Sequence, residues 1–202
     1  MEHTWDLLNI IGTIAFAISG AIVAMEEDYD LLGAFILGLA TAFGGGVVRN
    51  LLIGVPVETL WQQDGLLKLA IIVIAIVFFM PNGWIKHWRR WGNFFDALGL
   101  AAFAIQGALY AADMNHPISA VMVAAVLTGS GGGVIRDVLA RRKPTVLQAE
   151  IYAVWAMLAG LVIGLGIATD IWHFYALFII VVALRMFSVM YNWHLPRRSL
   201  RI

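Results

Sequence analysis

The sequence predicts an all-α membrane protein with seven transmembrane helices, an inverted 3+3 repeat plus a seventh helix. Three observations predict it. Of the 202 residues, 61% are hydrophobic and 13% charged, with a mean hydropathy of +0.85; soluble domains average about 45–50% and about 25%. Seven apolar segments approach the roughly 20 residues needed to cross about 30 Å of hydrocarbon. The first half of the chain also recurs in the second at an offset of 87 residues. The absence of cysteine excludes disulfides, iron–sulfur clusters and thiolate zinc sites. Net charge is zero and no long basic tract is present, which argues against a nucleic-acid partner.

The predicted spans are 7–24, 31–53, 64–80, 94–112, 118–140, 149–168 and 171–191. The first follows "MEHTWDLLN", which carries Glu2 and Asp6 and no Lys or Arg, so it reads as a retained span and not a cleavable signal. The connections "EEDYD", "GVPVE", "PNGWIKHWRRWG", "DMNHP", "RRKPT" and "ATD" are too short for an extramembrane domain. Lys86, Arg89 and Arg90, then Arg141, Arg142 and Lys143, then Arg197, Arg198 and Arg201 all fall on one side. The positive-inside rule makes that side cytoplasmic, with the N-terminus outside the cell inner (plasma) membrane and the C-terminus inside. Trp61, Trp84, Trp88, Trp91, Trp172 and Trp193 stand near span ends, as an aromatic belt requires.

The repeat is read from two blocks in one register. "NIIGTIAFAISGAIVA" (Asn9 to Ala24) aligns with "DALGLAAFAIQGALYA" (Asp96 to Ala111), with eight of sixteen positions identical. "TAFGGGVVRN" (Thr41 to Asn50) aligns without a gap with "TGSGGGVIRD" (Thr128 to Asp137), six of ten identical. The single membrane domain therefore divides into repeat 1 (1–87), repeat 2 (88–168), and span 7 with a basic tail (169–202). A three-span unit reverses direction when copied, so a pseudo-two-fold axis in the membrane plane relates the copies. Transport proteins share that architecture, with a pathway between the repeats.

Each glycine triplet, Gly44–Gly46 and Gly131–Gly133, interrupts an apolar run. Glycine disfavours a helix by about 1 kcal/mol relative to alanine. Close packing explains Gly12, Gly20, Gly99 and Gly107. Three in succession predict a kink or break in spans 2 and 5, whose freed carbonyls would line a path. Arg49 and Arg136 follow one turn later, each roughly 10 Å from the midplane on opposite sides. Two readings stand for them: snorkelling to lipid headgroups, or burial beside a carboxylate or carbonyls, where they would narrow a pathway. Arg136 and Asp137 point about 100° apart on a helix, which predicts partners on other helices, Asp96 being one candidate.

Ser19 and Gln106 occupy equivalent places near mid-membrane, and Thr41, Thr128 and Ser130 precede the triplets. A lone hydroxyl in a membrane helix usually bonds its own backbone, whereas the Gln106 amide needs a partner. Arg185 reads as a snorkelling side chain. The five histidines, His3, His87, His116, His173 and His194, fall at span ends or loops. No HExxH, Ser/His pair at depth or Walker loop is present, so nothing points to an enzyme, a resident cofactor or a metal site.

A duplicated three-span unit carrying "GGGVVRNLLIG" and "GGGVIRDVLA", with a seventh helix, resembles the prokaryotic TRIC-type (trimeric intracellular cation) channel family. That family also includes the bacterial "glycine transporter domain" membrane proteins. The resemblance covers essentially the whole chain. It implies a homotrimer with a pore inside each protomer, bounded by helices 1, 2, 4 and 5, conducting a monovalent cation, K+ or Na+. It implies kinks at Gly44–Gly46 and Gly131–Gly133, and charged motif residues at Arg49, Arg136 and Asp137. Asn50 departs from the pattern, standing where the family commonly carries Asp and removing a negative charge from the outer half. The competing readings are a secondary transporter of a small solute such as an amino acid, for which polar midplane groups are few, and a non-transporting scaffold.

Overall fold

A computed structural model describes residues 2–81, 83, 91–148 and 151–196. Helix α1 spans Glu2–Glu26, α2 Leu31–Ile53, α3 Asp64–Phe78, α4 Gly92–Asp113, α5 Ile118–Leu139, α6 Ala153–Gly164 and α7 Ile171–Met190. A 3-10 segment, Val57–Gln63, leads into α3, and a single turn, Thr145–Gln148, precedes α6. Asp30 caps α2 by accepting from the Gly33 N–H at 2.8 Å, while Gly54, in the left-handed region at φ 78°, ends it. The basic residues Lys86, Arg89, Arg90, Arg197, Arg198 and Arg201, with Trp84, Trp88, His87 and the repeat boundary at 87–88, lie outside the described residues. Trp61, Trp91, Trp172 and Trp193 are exposed near the helix ends.

Among the described residues, six helical segments are long and apolar enough to cross a membrane, α3 together with the 3-10 residues before it. The sixth predicted span, 149–168, is shorter than expected: α6 has 12 helical residues, a rise of about 18 Å. Ile151 and Tyr152 before it are not helical, the Ile151 N–H bonds the Trp193 carbonyl at 2.8 Å, and Gly166, at φ 69°, turns the chain beyond its end.

The bundle has a centre and a rim. In the apolar windows of α1 and α4, 72% of residues are buried, against 17% in the α3 segment and 22% in α7. Helices α1 and α4 are therefore the core, and the rim carries exposed apolar side chains such as Leu32, Ile72 and Ile179. The two halves meet through reciprocal contacts, the signature of a two-fold relation. A Cβ on Gly12 would meet the Phe103 ring, and one on Gly99 would meet the Phe16 ring. The two rings pack edge to face with centroids 5.3 Å apart. Gly12 and Phe16 are the repeat mates of Gly99 and Phe103.

The same reciprocity governs α2 and α5, and neither helix breaks at its triplet as expected. Both helices run unbroken through their triplets, Gly44–Gly46 and Gly131–Gly133. A Cβ on Gly45 would stand 2.3 Å from the Thr128 carbonyl oxygen, and one on Gly132 2.1 Å from that of Thr41. The glycines let two intact backbones touch where the helices cross, as small residues do in membrane bundles.

That geometry makes Gly45→Ala and Gly132→Ala destabilising, because backbone must move to admit the methyl group; overpacking of this kind costs about 1–3 kcal/mol. Gly46→Ala, whose new atom meets only the Arg49 guanidinium at 3.8 Å, is tolerated. Thermal unfolding of the three purified variants checks the ranking. A Gly46→Ala protein as unstable as the other two contradicts it.

Candidate functional site

Two polar cavities, one beside each arginine and each lined by both repeats, share no lining residue. The larger, about 260 Å3, opens toward the face where α1 ends, and Ser19, Asp96, Arg136, Asp137 and Thr145 line its depth. The smaller, about 20 Å3, lies toward the face where α1 begins, among Asn9, Thr13, Gly46, Arg49, Gln63 and Gln106.

Arg136, 6% exposed, organises the larger cavity. Its Nε donates to Asp137 Oδ1 at 2.9 Å, and its Nη2 lies 2.8 Å from the same oxygen. Its Nη1 donates to Asp96 Oδ1 at 3.0 Å and to Ser19 Oγ at 2.5 Å. Asp137 Oδ2 accepts from the backbone and the hydroxyl of Thr145 at 2.9 and 2.8 Å, anchoring the turn before α6. Asp96 is thus the cross-helix partner expected for Arg136. The expectation that Arg136 and Asp137 turn away from each other is wrong: the long guanidinium stem folds back along α5 and closes the angular gap.

Arg49, 2% exposed, repeats the same fork. Nε and Nη2 both donate to Asn50 Oδ1, at 3.0 and 2.7 Å, and Asn50 Nδ2 donates to Thr59 Oγ1 at 3.1 Å. The Tyr110 ring covers the guanidinium at 4.1 Å, a cation–π contact. Both arginines are therefore interior. The third glycine of each triplet lies beside them without crowding: a Cβ on Gly46 or Gly133 would stand 3.8 or 3.7 Å from Nη2 of Arg49 or Arg136, an ordinary contact. Gly44 packs against Ile135, and Gly131 against the Gly45 Cα.

The remaining predicted residues divide. Ser19 joins the Arg136 cluster, and Gln106 donates to Asn9 across the α1–α4 interface. Thr41, Thr128 and Ser130 each donate to their own helix, to Leu37, Ala124 and Val126 carbonyls at 2.6 Å. Arg185 does not snorkel: it is 1% exposed and its guanidinium stacks 4.6 Å from the buried Tyr152 ring, because the inner half of α7 packs on the bundle. Tyr110 and Tyr152 escaped sequence reasoning, since their repeat mates are Val23 and Gly65 and no register signal marks them. At the mouth of the larger cavity, Arg142 donates to Glu27 at 2.7 Å and Glu26 at 2.9 Å. Partial burial works against its charge, but the two glutamates outweigh this and raise its pKa.

The sequence matches the glycine transporter family over residues 6–82 and 93–168, once per repeat. The chain belongs to that family. It is 63% identical over 198 residues to the UPF0126 membrane protein YvgT of Bacillus subtilis, covering 98% of both chains. Against the UPF0126 inner membrane protein YadS of Escherichia coli it is 36% identical, over 77% of this chain and 75% of the other. Among solved structures, a prokaryotic TRIC channel in 0.5 M KCl is 33% identical with a TM-score of 0.86, covering 96% of this chain and all of that one. A TRIC orthologue from Rhodobacter sphaeroides is 27% identical with a TM-score of 0.82, covering 93% and 97%. The family is thus the one whose solved members include the prokaryotic TRIC channels, and this chain is a multi-pass membrane protein.

The two arginine clusters differ in charge, and their variants should differ in stability. Arg136→Ala leaves two buried carboxylates without a cation, a loss of about 3–5 kcal/mol. Arg49→Ala leaves only the neutral Asn50 amide short of a donor, about 1–3 kcal/mol. Comparing unfolding midpoints in one detergent tests the order, and equal losses would mean that Asp96 and Asp137 do not depend on Arg136.

Proposed function

We propose that the protein is a passive, potassium-permeable cation channel of the cell inner membrane. It works as a homotrimer with a separate pathway between α1, α2, α4 and α5 of each protomer. The observation that carries this reading is the pair of polar cavities in a single protomer, which share no lining residue and lie toward opposite ends of α1. Channel function and cation preference are supported by the likeness to solved TRIC cation channels at 33% identity and TM-score 0.85.

Basic residues beside a cation path would oppose conduction unless compensated. Here Arg136 is held by Asp96 and Asp137, and Arg142 by Glu26 and Glu27. The carboxylate and hydroxyl oxygens of Asp96, Asp137, Ser19 and Thr145 are hard ligands of the kind alkali cations prefer. The Arg142 face is the cytoplasmic one, with the N-terminus outside, by the charge bias of the loops. Gly44–Gly46, Gly131–Gly133, Thr41, Thr128 and Ser130 set the width of the crossing, while Arg49, Asn50, Arg136, Asp137, Ser19 and Gln106 line or gate the path on either side. Lipid is the partner of the apolar rim.

One observation favours a second reading. Two separate cavities across a closed barrier are also the layout of an alternating-access carrier, and the larger could admit a solute the size of a small amino acid. Planar-bilayer recording of purified protein separates the two: unitary potassium current steps support the channel, and saturable uptake without steps supports the carrier. In the channel, Arg49→Ala and Arg136→Ala each change the unitary conductance. Arg136→Lys restores it only in part, since a point charge cannot reproduce the fork onto Asp137 and Asp96. Parental conductance in both Ala variants, with expression and assembly unchanged, would remove the arginines from the pathway.

A further inference from the structure

The two clusters are copies of one design, and the first lacks both carboxylates of the second. In repeat 2, the fork of Arg136 grips Asp137, and its Nη1 reaches Asp96 and Ser19. In repeat 1, the fork of Arg49 grips Asn50 in the same way, but the mates of Asp96 and Ser19 are Asn9 and Gln106, which bond each other. Arg49 Nη1 is left buried and without a hydrogen-bond partner among the described residues, and no carboxylate lines the adjoining cavity.

A buried guanidinium without an anion is costly. The Tyr110 ring offsets part of the charge through one face, but a ring face supplies no acceptor in the guanidinium plane. A water molecule would satisfy the hydrogen bond and leave the charge. The cavity of about 20 Å3 has room for one water-sized particle, and its other polar liners, Asn9, Thr13, Gln63, Gln106 and Thr128, are amides and hydroxyls that carry no charge.

We propose that this cavity binds a single monatomic halide against Arg49 Nη1, in the place that the Asp96 carboxylate oxygen takes beside Arg136. The first repeat thereby acquires from solution one of the two negative charges that the second repeat carries as Asp96 and Asp137. The halide is a bound counter-ion and need not be a permeating one, so the site is independent of whether the protein is a channel or a carrier.

The test uses the full-length protein in two measurements, neither of which reads transport. Crystals grown in sodium bromide should show an anomalous bromide peak within hydrogen-bonding distance of Arg49 Nη1. The thermal midpoint should climb with chloride or bromide at constant ionic strength, the balance being gluconate, which is too large for the cavity. Asn9→Asp supplies the missing carboxylate at the position equivalent to Asp96. It should abolish both the bromide peak and the chloride dependence while holding the midpoint in gluconate at or above that of the parent in chloride. Arg49→Gln should lose the peak as well. Water in place of bromide, or the same chloride dependence in Asn9→Asp as in the parent, overturns the proposal.

Discussion

Everything in this bundle is placed by the contact of two backbones. Helices α2 and α5 cross so closely that the Thr41 and Thr128 carbonyls occupy the space where side chains at Gly132 and Gly45 would begin. Dispersion between close-packed atoms replaces the hydrophobic drive that is missing inside lipid. The contact is reciprocal and therefore lies on the pseudo-two-fold axis. Each arginine, one turn beyond its triplet, is then carried to the same distance from the axis in opposite directions. Packing and chemistry are thus specified by the same few residues.

Symmetry of position does not extend to charge. Both arginines fold their forks onto the next residue in sequence, yet one meets a carboxylate and the other an amide. Two further carboxylate-for-amide and hydroxyl-for-amide differences, Asp96 against Asn9 and Ser19 against Gln106, make the second cluster an ion-paired network and the first a nearly neutral cage around one cation. Gene duplication supplies equal frameworks, and substitution at three or four polar positions gives the two sides of the membrane different electrostatics. The loops reinforce the difference: Arg142 ties the turn after α5 to the end of α1, and the Tyr29 hydroxyl holds the Leu139 carbonyl at 2.9 Å.

The local code determined the spans, because apolar length is written residue by residue and the lipid solvent demands it. Helices α2 and α7 begin where hydropathy places them, at Leu31 and Ile171. The duplication was equally legible, since identity in register survives in Gly12, Phe16 and the triplets, and with it came the inverted fold; Asp96 was one candidate partner for Arg136, and the packed helices made it the partner. Tertiary structure alone decided what the glycines do. A hinge and a close approach have the same glycine signature, and they are distinguished only by whether another backbone arrives at the spot. Arg185 turned inward, and Tyr110 came to lie over Arg49, for a related reason. A side chain's direction on a helix is fixed by sequence, but whether lipid, water or protein stands in that direction is a property of the packed bundle.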